Sequence, residues 1–294
     1  MCSSDLLGAG QHLVHVFSQP DRPAGRGKKL TPTPIAQFAL DQNLPVTRTA
    51  NINVEPLPPA DVMVVIAFGQ KIAPHVVHHP RLGSVNLHAS RLPRYRGAAP
   101  INWAILRGET ITGNSVIRLA DKMDAGAVLG RSRVEIGELE TAGELHDRLS
   151  EDGAPLMLDV LNQLAAGKAV ETEQDHAAAT IAPKLNRDAT RLDWTAPAAE
   201  IARKIRGLFP WPGCRVRILD QDGQPRDTVT LVRARVGPRV TGEPGRIAES
   251  RTIAAGDRRG VEIIELQPEG KRPMPLAAYR NGHPWEPGTR LESV

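Results

Sequence analysis

The run Val62-Met63-Val64-Val65-Ile66-Ala67-Phe68 decides the fold. Its β-branched residues follow one another with no polar alternate, the pattern of a short strand covered on both faces in a parallel sheet. It is far short of the roughly 20 apolar residues that cross a bilayer. Working outward, residues 85–87 read as a second short strand and 12–18 as one upstream. Residues 35–42 and 98–107 read as helices, with Pro100 tolerated in a first turn. Residues 114–119 and 128–134 are strands on either side of a turn at 121–126. Thr141 and Glu144 form a capping box ahead of a helix running towards Ser150. Residues 156–166 continue the helical pattern as far as Gly167. Strands alternating with helices predict an open α/β domain of Rossmann type.

After Gly167 the character changes. Residues 168–182 are polar and Ala-rich, and 198–209 form one amphipathic helix. Short β-like runs follow at 215–219, 228–234, 245–247 and 260–266, separated by Gly, Pro and Asp, as in a small barrel or sandwich. The expected division is an α/β domain at 1–168, a linker at 169–184 and an OB-like β-barrel domain at 185–294. With 294 residues, 40% hydrophobic and 24% charged, the chain has room for two ordinary domains. Cys2 and Cys214 lie far apart and make no metal spacing, so a reducing cytoplasm is the expected compartment. Residues 1–10 have neither the basic start nor the long apolar segment of a signal peptide. A net charge of +4 modestly favours a polyanionic partner.

The chemistry concentrates in Val85-Asn86-Leu87-His88-Ala89-Ser90-Arg91-Leu92-Pro93. Asn86 and His88 are one residue apart on an extended segment, so both side chains leave the same face. An amide beside an imidazole is a device for polarising a carbonyl. An isolated pair of this kind is equally a satisfied polar pair at a strand end. Asp121-Lys122-Met123-Asp124-Ala125-Gly126 supplies a carboxylate, Asp124, within reach of the imidazole, where burial beside it would favour the imidazolium. Asp124 is otherwise an ordinary turn residue ahead of Gly126, and Asp121 is the weaker candidate.

The loop Gln19-Pro20-Asp21-Arg22-Pro23-Ala24-Gly25-Arg26-Gly27-Lys28-Lys29 reads as a mobile basic finger without regular structure, or as a solvated charge run. Its glycine spacing is not that of a P-loop, and Gly8 with Gly10 is only a fragment of a dinucleotide fingerprint. His75, His78 and His79 have no Cys or carboxylate at ligand spacing, so no metal is expected. Phe209-Pro210-Trp211-Pro212-Gly213 reads as a rigid packing turn. Arg203, Arg206, Arg215, Arg217, Arg233 and Arg235 are either a basic face or ordinary surface.

Together these motifs resemble the methionyl-tRNA formyltransferase family from about Gln11 almost to the C-terminus. Residues 182–185, 192–194 and 266–271 are similar to family signatures as well. Asn86, His88 and Asp124 fall on the triad shared by formyltransferases that use 10-formyltetrahydrofolate, while the basic loop and C-terminal domain narrow the resemblance to the tRNA-specific family. The resemblance implies formyl transfer from 10-formyltetrahydrofolate to the amino group of methionyl initiator tRNA. Asn86 would donate to the formyl oxygen, and His88, held by Asp124, would add a charged donor. Asp124, His88 or an ordered water would take the amine's proton. Folate would lie beside Phe68, Gly69 and the 121–126 turn. It would also meet Ser90, Arg91, Leu92 and Pro93, where the commoner family pattern has Leu in place of Arg91. Arg22, Arg26, Lys28 and Lys29 would meet the tRNA acceptor end, aided by the barrel. A monomer with no metal and no membrane is expected.

The resemblance also exposes two departures. Family members begin with an apolar strand, a Gly-Thr-Pro loop and half a helix, whereas Met1-Cys2-Ser3-Ser4 leads directly into residues 5–10, which read as the end of that helix. An N-terminally shortened domain is expected, with neighbouring strands left unpaired and apolar surface exposed. Glu55-Pro56-Leu57-Pro58-Pro59 also replaces a family helix that prolines cannot form. Two other readings remain: the same donor with another amine acceptor (a sugar nucleotide or glycinamide ribonucleotide), or an inactive folate- or RNA-binding remnant.

Overall fold

The 62–68 run yields a strand, Met63–Val65, shorter than the run itself. In this computed structural model, which describes residues 3–25, 27–220 and 222–294, Ala67 takes a left-handed backbone (φ +47°) and turns the chain out of the sheet early. The first of two units comprises Met1–Arg96, Gly113–Val134 and Arg148–Ile181. Its strands in chain order are β1 (Val16–Ser18), β2 (Arg22–Ala24), β3 (Lys29–Thr31), β4 (Val46–Arg48), β5 (Met63–Val65), β6 (Ser84–His88), β7 (Ser115–Arg118) and β8 (Val128–Arg131). β5 and β6 pair in parallel with Val65 opposite Asn86, and β7 runs antiparallel to β6 with Ile117 opposite Asn86. β8 closes this four-stranded sheet against β7.

β1 and β4 pair in parallel as a separate two-stranded sheet. Residues 62–66 are correspondingly half-buried, although a run of this composition is suited to a fully covered strand. Residues 53–60 carry no α-helix, only the 3-10 turn Ile52–Val54 at their start.

One 24-residue helix, Ala142–Ala165, replaces the two helical stretches read from sequence and carries Pro155 inside it. Its capping box forms as expected: the Thr141 N–H donates to Glu144 Oε2 (2.8 Å) and the Glu144 N–H to Thr141 Oγ1 (3.3 Å). From Arg148 onward this helix belongs to the first unit and lies against β6. A Cβ at Gly153 would sit 2.7 Å from Leu87 Cδ2. Met157, Val160, Leu161 and Leu164 bury there with Val85, Val116 and Leu129, each contributing ~1.5–3 kcal/mol of hydrophobic stabilisation.

The second unit comprises Gly97–Thr112, Glu135–Asp147 and Ala182–Val294. Helix Ala198–Gly207 buries Ala198, Ile201, Ala202 and Ile205. They join a core with Trp194, Trp285 and the inward residues of an antiparallel sheet. The 15-residue strand Pro225–Arg239 carries register shifts that bend it, so the sheet curls into a half-barrel. The strand expected at 245–247 is reduced to two bridges, Arg246 to Arg290 and Ile247 to Ile253, which link the sheet's two edge strands. The turn at 209–213 packs only in part. Pro210 lies against Gly143, and Trp211 turns outward with 61% of its surface exposed.

Candidate active site

β6 presents Asn86 half-buried and His88 only 6% exposed. His88 Nε2 lies 2.8 Å from the Tyr95 carbonyl. A carbonyl can only accept, so Nε2 carries a proton and the ring orientation is fixed. Tyr95 is itself left-handed (φ +62°), and its N–H donates to Thr180 Oγ1 (2.9 Å). With Nε2 committed, Nδ1 faces Asp124, whose Oδ2 is 3.7 Å away. That separation is too long for a direct hydrogen bond. It suits a charge-assisted contact when the ring carries its second proton.

The strand directions make the position of Asp124 demanding. β7 is antiparallel to β6, and the Leu119 N–H bonds the Ser84 carbonyl (3.0 Å), at the far end of β6 from His88. His88 is four residues further along, ~13 Å of extended chain. The loop after β7 therefore doubles back to bring Asp124 to the imidazole. Asp124 adopts φ +53°, a conformation that costs on the order of 1–2 kcal/mol for a residue with a side chain. A Cβ at Gly126 would stand 2.0 Å from the Arg118 carbonyl oxygen, so the returning loop has no room for one.

Two further residues hold this loop, and neither stood out in the sequence. Gln174, 4% exposed, donates through Nε2 to the carbonyls of Asp124 and Gly126, each at 2.8 Å. Arg96 donates to Gln174 Oε1 from Nε (3.1 Å) and Nη2 (2.5 Å), and its Nη2 also meets His176 Nδ1 (2.9 Å). Gln174 lies 50 positions from Asp124 and 78 from Arg96, inside the polar stretch read as a linker. Its one sequence signal was an amide among Ala and acidic residues. Thr172 pairs with Val128 and brings this segment alongside the loop.

The Ser90-Arg91-Leu92-Pro93 segment divides. Ser90 donates to the Arg94 carbonyl (2.6 Å), and Ser115 Oγ donates to the Ser90 carbonyl (2.7 Å). Leu92 is 2% exposed and packs with Ile117 and Val128. These two side chains shape the loop from inside, while Arg91 is exposed and Pro93 half-buried. Phe68 is half-buried and Gly69 exposed, and Gln19 Nε2 donates to the Phe68 carbonyl (2.7 Å). Since β5 and β6 are parallel, Phe68, Gly69 and His88 lie at the same end of the sheet. Sites in open α/β sheets form there.

The basic loop has more order than its composition predicts. β2 and β3 form an exposed antiparallel hairpin with Arg22 opposite Thr31, Pro23 opposite Leu30 and Ala24 opposite Lys29. Proline is compatible with such an isolated edge. Arg22, Lys28 and Lys29 are exposed, and Arg26 lies outside the described residues. Of the six arginines singled out in the second unit, four are engaged by acidic or carbonyl partners. Arg206 is buried and donates to the Glu140 carbonyl. Arg215, Arg233 and Arg235 pair with Glu269, Glu144 with Glu265, and Glu262. Arg203 packs beside Gly108, and Arg217 is exposed.

His75 and His79 bond the carbonyls of Asn53 and Pro58, both at 3.1 Å. Among the described residues no group of three or more His, Cys, Asp or Glu could hold a metal ion. No described helix is long and apolar enough to cross a membrane. Burial pushes the Cys214 thiol up to about 12, so it is no nucleophile.

The formyl transferase family model matches residues 3–161, and the formyl transferase C-terminal domain model matches 184–284. A methionyl-tRNA formyltransferase of Phenylobacterium zucineum is 38% identical over 294 residues, covering 98% of this chain and 94% of that protein. The chain belongs to the methionyl-tRNA formyltransferase family. A second methionyl-tRNA formyltransferase, from Acidobacterium capsulatum, is 40% identical over 298 residues, 97% of this chain and 94% of that protein. The solved N-formyltransferase from Helicobacter canadensis, in complex with folinic acid and dTDP-3-aminofucose, superposes with a TM-score of 0.62 at 12% identity. It covers 87% of this chain and 100% of its own, and the likeness is one of fold. The chain is a formyl-transferring enzyme built as a Rossmann-like domain and a curled half-barrel.

Proposed function

We propose that Asn86, His88 and Asp124 carry the transfer of a formyl group from 10-formyltetrahydrofolate to the α-amino group of methionyl initiator tRNA. The observation that carries this reading is the commitment of His88: Nε2 is held by the Tyr95 carbonyl, which leaves Nδ1 for the site beside Asp124. Asn86 donates an amide N–H to the formyl oxygen as negative charge gathers there, and Nδ1–H adds a second donor whose charge Asp124 balances. The amino nitrogen bonds to the formyl carbon while the bond from that carbon to the folate nitrogen breaks. The proton shed by the amine returns to that nitrogen through the His88–Asp124 pair.

Phe68, Gly69, Ser90, Arg91, Leu92 and Pro93 border the folate position, Ser90 and Leu92 by shaping backbone. The exposed hairpin with Arg22, Lys28 and Lys29, together with Arg26, meets the phosphates of the acceptor end. The protein works as a cytoplasmic monomer. The deciding experiment supplies purified protein with 10-formyltetrahydrofolate and offers charged initiator tRNA, a 3-amino sugar nucleotide and glycinamide ribonucleotide in parallel. Formylation of the tRNA alone, abolished by Asn86→Ala, is expected. Product only on a sugar nucleotide or glycinamide ribonucleotide would overturn the acceptor, and equal activity of Asn86→Ala would overturn the site.

A further inference from the structure

We propose that Gln174 is the positioning residue for Asp124, anchored by Arg96, and that the two set the Asp124 carboxylate against His88. The inference rests on the catalytic reading given above. A guanidinium only donates, so the Gln174 oxygen must face Arg96 and both N–H groups of its amide must face the carbonyls of Asp124 and Gly126. Every polar position of this buried amide is thereby used, and it clamps residues 124–126 from both sides of Ala125. The clamp sits where the loop needs it. The loop leaves β7 at the level of Ser84, returns along the sheet to His88, and holds Asp124 left-handed at the end of that return.

Arg96 also directly follows Tyr95, whose carbonyl orients His88. Arg96 thus adjoins both partners: its backbone follows the carbonyl that orients His88, and its guanidinium holds Gln174, through which Asp124 alone is set. Misplacement of a reacting group by ~1 Å costs on the order of 100-fold in rate.

The test is Gln174→Glu in the full chain. It nearly preserves shape, keeps the acceptor for Arg96 and removes both donors. The expected result is a fall in kcat of ~10–100-fold, a changed pH profile of kcat, and KM values for folate and methionyl-tRNA within about threefold of the parent. In an Asp124→Asn background the same substitution is expected to cost less than about twofold, because its effect passes through Asp124. Gln174→Met, of similar volume and with no polar end, should show the same non-additivity.

A parent-like kcat for Gln174→Glu overturns the proposal while leaving an impaired Asp124→Asn, and so the catalytic reading, intact. An undiminished loss in the Asp124→Asn background overturns it in the same way. Failure of both Gln174 variants to fold makes the Arg96–Gln174 strut a structural element only and also overturns it. A fully active Asp124→Asn brings down the catalytic reading and this proposal together.

Discussion

Glu144→Gln removes one charge and little else, and the geometry sets what that charge contributes. Glu144 closes the cap of helix Ala142–Ala165 and takes a two-pronged contact from Arg233, with Nη2 at 2.7 Å and Nη1 at 3.1 Å. The hydrogen-bonded Arg233 guanidinium, helped by the Thr141 N–H and hydroxyl against an opposing push from burial, lowers the carboxyl from 4.5 to about 2. At face value that displacement is worth ~3.4 kcal/mol. The side chain is 49% exposed, so solvent screening reduces the expected contribution to ~1–1.5 kcal/mol.

The folded value lies below the unfolded one. The stabilisation is therefore complete above pH 4.5 and is lost as pH falls from there to about 2. All four tryptophans, Trp103, Trp194, Trp211 and Trp285, belong to the second unit, so their fluorescence during urea unfolding reports the unit that holds the pair. At pH 7 the variant should unfold at ~0.5 M lower urea. By pH 3 more than about half of that gap should be gone. A gap that stays constant from pH 7 to pH 3, or none at pH 7, would refute the assignment of the low carboxyl to the Arg233 contact.

Asn86→Ala should lower kcat by ~100–1000-fold while leaving the KM for folate and the unfolding midpoint near the parent values. A drop below about threefold in initial-rate assays would remove Asn86 as an oxyanion donor. Gly126→Ala forces a methyl into the Arg118 carbonyl and should cost ~1–3 kcal/mol of stability. It should also lower kcat by displacing Asp124, and normal rates in a destabilised protein would separate loop packing from chemistry. The double variant Lys28→Ala with Lys29→Ala should raise the KM for tRNA and flatten the slope of log KM against log salt by about 2, with the folate KM unchanged. An unchanged salt slope would place the hairpin away from phosphate.

What sequence alone conveys here depends on the range of the interaction. Asn86 and His88 are legible because a strand repeats every second residue, and the Thr141–Glu144 box because a cap closes within one turn. The carboxylate-bearing turn at 121–126 offered Asp124 as a third member, and the resemblance matched the three to a family triad. Composition misread the Gln19–Lys29 loop, because Pro and Gly there build a hairpin turn and an edge strand. It also left open the second unit's arginines, whose acidic partners lie up to 89 positions away for Arg233 and Glu144. The same limit hid Gln174.

Nothing local marks a buried amide whose donors serve a loop 50 residues earlier and whose acceptor serves an arginine 78 residues away. Only the antiparallel run of β7 explains why such an amide is needed. With β7 parallel to β6, its following loop would emerge beside His88 and Asp124 would need no long return. The antiparallel connection starts the loop at the wrong end of β6, and a left-handed Asp124, a glycine at 126 and the Arg96–Gln174 strut are the local consequences. The triad is thus set by a sheet direction that its own residues do not reveal.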